Sequence, residues 1–148
     1  MFDLYALPED FPGKNNPAYP HAGNGKRKAE FLETELAKDI NHRNFIPNLL
    51  VHEFEALLFT RIDAFEQWTD DDHILEPLRT VRNTTLPEDI NDSPHTAPSK
   101  RILAAMTNYQ KTFHGPLIAC DIGLDAIQRE CPHFAEWLRK IETLKNIY

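Results

Sequence analysis

Two short apolar runs on either side of one amphipathic stretch constrain this chain more than anything else in it. Phe2 to Ala6 is apolar except at Asp3 and stops at Leu7-Pro8, which predicts a short buried strand. Residues 26–40 place Ala29, Leu32, Leu36 and Ile40 at helical spacing with charges between them, the pattern of an amphipathic helix. Asn41 to Asn44 interrupts that pattern, and Phe45 to Val51 then reads as a second buried strand, with Pro47 near its start. Strand, helix, strand in this order is a βαβ unit, which makes the strands parallel and the crossover right-handed. The expected fold class is α/β. Ligands of such sheets gather beyond the carboxyl ends of the strands, and the second run ends at His52.

The remainder reads as loops and helices. Pro8 to Gly25 carries four prolines and three glycines, a loop of the length that is usually functional or mobile. Phe54, Leu57 and Leu58 share one helical face, which Ile62, Phe65 and Trp68 extend past a break at Thr60. Glu53 is then expected in a first helical turn, where the dipole favours a carboxylate. Ile74, Leu75, Leu78 and Val81 outline another helix with Pro77 as a kink. Pro98 suits a first helical position with Thr96 or Ser99 as its cap, residues 116–122 form a short helix closed by Gly123, and Asp125 with Gln128 has capping-box spacing. Pro132 opens a last helix whose face is Phe134, Trp137, Leu138, Ile141 and Leu144.

A chain of 148 residues is expected to form a single domain, with a βαβ part over 1–60 and a mainly helical part over 61–148. Two parallel strands do not make a stable sheet alone. The expectation is therefore that further strands come from a partner chain, as in a homo-oligomer, or that the domain is N-terminally incomplete. Apolar residues make up 41% and charged residues 26%, the balance of a globular chain, and no apolar run approaches the roughly 18 residues that span a bilayer. No basic-then-apolar leader precedes the first run, so a cytoplasmic protein without membrane association is expected. Cys120 and Cys131 lack any paired metal spacing and read as buried thiols. The net charge of −7 excludes a global basic field that would draw in nucleic acid, so phosphate contacts must be local.

Four blocks, "MFDLYALPEDFPG" (1–13), "FIPNLLVHEFEALLF" (45–59), "EDINDSPHTAPSKRIL" (88–103) and "HGPLIACDIGLDAIQRECPHFAEWL" (114–138), together resemble the bacterial domain-of-unknown-function family 4276, in family order and over essentially the whole chain. The resemblance implies a Toprim-like α/β fold, encoded beside ATPases of the ABC/AAA type in genome-defence neighbourhoods. It also implies a further upstream stretch, opening with a strand that ends in a Glu-Gly motif, so this chain is expected to be N-terminally truncated and, as it stands, inactive.

A Toprim site holds Mg²⁺ on carboxylates at separate strand ends for phosphodiester chemistry. Asp3 stands where the first aspartate of the Toprim Asp-x-Asp motif would be, and Tyr5 replaces the second. Glu53 and Glu55 are the candidates to supply the missing charge, as metal ligands or as a base positioning water, with His52 beside them as a further catalytic candidate. A first-turn carboxylate that merely answers the helix dipole is the competing reading. "HEFEA" is not the zinc helix motif, since residue 56 is alanine. The other candidate is "HTAPSKR": His95, Thr96 and Ser99 at a helix start, followed by Lys100 and Arg101, can cradle a phosphate. His95, His114 and His133 stand at helix ends beside proline or glycine, where imidazole commonly closes a turn. Nothing resembles a Walker loop, so ATP hydrolysis is expected to belong to a partner. The reaction expected is Mg²⁺-dependent cleavage of nucleic acid in concert with an ATPase; the alternative is a non-catalytic subunit that docks one.

Overall fold

The βαβ unit is present, with strands far shorter than the apolar runs that announce them. The computed structural model describes residues 2–22, 24–51, 53–69, 71–90 and 95–144. Strand β1 is Phe2–Asp3 and strand β2 is Leu49–Leu50; they pair in parallel with Phe2 opposite Leu49 and Asp3 opposite Leu50. Beyond Asp3 the chain tightens into a 3₁₀ turn at Leu4–Ala6. Pro47 has no N–H to give a ladder, so pairing begins only after it. Between the strands lies helix α1, Gly25–Ile40, capped by the Asn24 side chain on Arg27 N–H and closed by Asn41 in the left-handed conformation at φ 45°.

The described residues fall into two compact units, one of 2–51 with 133–144 and one of 53–132. In the first, Leu4, Leu7, Ala29, Leu32, Leu49 and Val51 form a buried cluster against which Phe11, Tyr19 and Phe31 pack. The loop of residues 7–24 is tied down by successive turns, with backbone bonds from Phe11 to Pro8, Lys14 to Phe11 and Asn16 to Gly13. Its Asn16 amide donates to Glu35 of α1, and its Gly13 takes φ 88° with Glu35 Cγ only 2.6 Å from where a Cβ would stand. Helix α7, Pro132–Leu144, has nearly all its residues in this unit. His133 Nε2 lies 3.0 Å from Glu33 Oε1, and the same oxygen accepts the Leu49 N–H at 2.7 Å, so one buried carboxylate ties α1 to both β2 and α7.

The second unit is helical. It runs α2, Phe54–Leu58; a 3₁₀ segment, Ile62–Trp68; α3, Asp72–Thr84; a 3₁₀ turn, Pro87–Asp89; α4, Pro98–Ala105; α5, Lys111–Ile122; and α6, Leu124–Glu130. Phe59, Phe65, Leu58, Leu75, Leu78, Ile102 and Ile118 are its deepest apolar side chains. Three expectations are corrected. Helix α5 begins at Lys111 and passes through Pro116, which forfeits one backbone bond without ending it. Helix α6 starts directly after Gly123, whose φ of 81° makes the turn, and Asp125 lies inside its first turn instead of capping it. Cys131 is buried as expected, but Cys120 is exposed. No helix among the described residues is long and apolar enough to cross a membrane.

Candidate functional site

Residue 53 is the N-cap of α2 and keeps an extended backbone, φ −131° and ψ 161°, so Glu53 precedes the first turn in which it was expected. Its side chain leaves its own helix uncapped and crosses to another: Oε2 accepts the Ser99 N–H at 2.9 Å, at the first turn of α4. Neither Thr96 nor Ser99 caps α4 by its side chain, and Ala97 holds the cap position. A carboxylate of the chain therefore already engages a free N–H at the helix start where the sequence suggested a phosphate.

Glu55 lies within the first turn of α2 and is fully buried. Lys111 Nζ, at the first residue of α5, stands 2.9 Å from Glu55 Oε2, with its own side chain half exposed. That is ion-pair distance, without the alignment of a hydrogen bond, and both Glu55 oxygens lack an aligned donor. Tyr109 joins them. The phenol is pushed well above its ordinary range, first by burial, then by the negative charge of Glu55 and the approach of its hydroxyl to that carboxylate, and last by the charge of Glu53, although by strict geometry the hydroxyl is not aligned on a partner. Gly115 leaves room for this arrangement: a Cβ there would lie 3.1 Å from Tyr109 Oη and 3.2 Å from Phe54 Cε1.

His114 closes the far side of Tyr109. Its ring stacks on Tyr109 at 5.8 Å and meets Trp68 and Phe113 edge-on at 5.0 Å each. Nδ1 accepts the Gln110 N–H at 2.8 Å, the turn-closing role expected of a histidine at such a place. Arg101 Nε donates to the Thr96 carbonyl at 2.6 Å, while Lys100 and His95 are exposed.

The second unit thus brings Glu53, Glu55 and Ser99 together with Tyr109, Lys111 and His114, and it carries Lys100 and Arg101 on the same short helix as Ser99. Asp3 belongs to the first unit, on β1 opposite Leu50, beside an apolar cavity of about 330 Å³ lined by Phe2, Ala6, Leu7, Pro8 and Phe11. His52 lies outside the described residues. The sequence does not single out Tyr109 and Lys111; the signal available is "NYQKTFHG", a tyrosine, a lysine and a histidine within six positions, upstream of the helix expected over 116–122.

A family model described as domain of unknown function, DUF4276, matches residues 1–142. No curated protein and no solved structure matches the chain. With the family model spanning all but the last six of its 148 residues, the chain belongs to the DUF4276 domain family.

Proposed function

We propose that the chain is the nucleic-acid-handling component of a defence or mobile-element system, a Toprim-like, Mg²⁺-dependent phosphodiesterase whose working groups are Glu53 and Glu55. One observation carries this reading: Glu55 is fully buried with two oxygens that no donor aligns on, in the same cluster as Glu53. The charge of Glu55 is balanced by Lys111 at 2.9 Å, but no aligned hydrogen bond fixes its oxygens, and buried carboxylates kept in that state are candidates for chemistry. Hard divalent cations seek such oxygens.

The donor set suits Mg²⁺ better than zinc. A closed zinc site takes four protein ligands, whereas among the described residues no three His, Cys, Asp or Glu side chains group for a metal. Mg²⁺ needs only one or two carboxylates, with water and substrate phosphate completing its shell. Glu53 and Glu55 would hold it, and its contribution when bound is to polarise a phosphoryl oxygen and make water a better nucleophile. Lys111 balances the charge of Glu55, and with a cation on that carboxylate its half-exposed ammonium would turn to an anionic substrate. Lys100 and Arg101 supply positive charge for the nucleic-acid backbone.

The test is incubation of end-labelled single- and double-stranded DNA and RNA with the chain in Mg²⁺, Mn²⁺ or EDTA. Cleavage in metal, absent in EDTA and in Glu55→Gln, is expected, in place of the inactivity that the family resemblance implies; no cleavage by the parent, or cleavage equal in Glu55→Gln, defeats the assignment. A second reading, a non-catalytic subunit docking an ABC/AAA-type ATPase, is favoured by one feature. Phe113 and Leu117, one turn apart on α5, and Leu124 on α6 are 53%, 40% and 52% exposed, three of the large apolar side chains that the described surface leaves uncovered.

A further inference from the structure

Helices α3 and α4 enclose a cavity of about 250 Å³ that the carboxylate cluster does not use. Its apolar walls are Leu78 and Val81 of α3 and Ala104 and Ala105 of α4. The basic groups at its edge are His95, Lys100 and Arg101, and no lining residue is acidic. This is unusual for a chain of net charge −7. Elsewhere in the same unit Arg61, Arg79, Arg82 and Lys111 each face a carboxylate, whereas Lys100 and Arg101, like the exposed Arg129, face none among the described residues. Arg101 is held by its Nε on the Thr96 carbonyl, which leaves its terminal nitrogens uncommitted among those residues.

Positive charge at the rim asks for an anion, and an apolar wall asks for a face that water does not solvate well. Volume limits the choice: sites for drug-sized ligands begin near 300 Å³, so this cavity takes about one ring with its phosphate and no duplex. We infer that the α3–α4 cavity binds a phosphomonoester carried on a sugar that bears an aromatic base, a nucleoside monophosphate unit that is either free or the terminal residue of a single strand. The inference deepens the reading of Lys100 and Arg101 as backbone contacts and rests on it, by making them the reader of a strand end.

The experiment is fluorescence anisotropy of a 3′-labelled single-stranded oligonucleotide on the full chain, with and without a 5′-phosphate. It is run in EDTA, so that failure of the Mg²⁺ assignment does not touch it. The phosphorylated strand is expected to bind about tenfold more tightly than the hydroxyl form, and Lys100→Ala is expected to remove that difference. Ala104→Leu fills the cavity without touching a charge and is expected to weaken the phosphorylated strand about tenfold, with thermal melting of both variants confirming the fold. Competition by adenosine monophosphate identifies a free nucleotide as sufficient; no competition, with the phosphate preference retained, identifies a strand end. Equal binding of the two strands, undiminished binding by Ala104→Leu, or displacement by inorganic phosphate as effective as by the nucleotide overturns the inference.

Discussion

Glu55 and Lys111 are the residues on which the functional reading turns, and their energetics separate a site from a strut. Replacing a buried ion pair by apolar side chains of similar volume is often neutral or stabilising by about 1–4 kcal/mol. On the proposed catalytic role of the pair, the double variant Glu55→Leu with Lys111→Met should therefore melt no lower than the parent. For a chain of this size about 1 kcal/mol is roughly 2–4 °C in Tm, so a drop of 8 °C or more by differential scanning fluorimetry marks the pair as structural. Cys131 gives a second prediction at this scale. Burial pushes its thiol up from 9.0 to about 12, against a smaller downward pull from the Thr60 hydroxyl. The folded state thus binds a proton that the unfolded state releases. Stability from this source is whole below pH 9 and is lost as pH rises from about 9 towards 12. Cys131→Ala should flatten the fall of Tm between pH 8 and pH 10, and an unchanged slope contradicts the assignment. Only Cys120 should react with a thiol reagent in the native chain, since Cys131 is buried.

At the scale of elements, the loop of residues 7–24 behaves as part of the first unit's core. Gly13 combines positive φ with a near contact on Glu35, so Gly13→Ala incurs both backbone strain and a clash. A loss of more than about 1 kcal/mol is expected in urea denaturation, while a neutral result shows a loop that relaxes freely. Composition suggested a loop that is functional or mobile; the turns closed by Phe11, Lys14 and Asn16 could not be read from proline and glycine content alone. Helices α1 and α7 were legible because their faces repeat at helical spacing and their ends carry Asn41 and Pro132. Helix α5 was half legible, since a proline six residues into a helix reads as a boundary although the chain tolerates it. The bond from Glu53 to Ser99 spans 46 residues, and no local pattern announces it.

For the whole molecule, the family and the small parallel sheet with its helical remainder were legible, the former from four blocks in order and the latter from two changes of hydrophobic period. The division into units was not. Its boundary falls at Val51, where the second apolar run ends, nine residues before the division expected at residue 60, and the last helix belongs to the unit that the first residues build. That placement depends on long-range contacts such as His133 with Glu33. Leu32, fully buried in the first unit, offers a direct check: Leu32→Ala should cost about 2–5 kcal/mol in urea denaturation. A value below about 1 kcal/mol means that this cluster is not a packed core. Of the candidate site, the glutamates were legible as charged residues in an apolar run. Their partners Lys111 and Tyr109 lie more than 50 positions away, and only folding brings them together.

The most direct test of the central claim is a calorimetric titration of Mg²⁺ into the full chain, with Glu55→Gln and Glu53→Gln beside it under the same buffer. A saturable heat of binding near one ion per chain is expected, which both substitutions abolish while their melting temperatures hold. No saturable heat in the parent, or the same isotherm in Glu55→Gln, contradicts that claim.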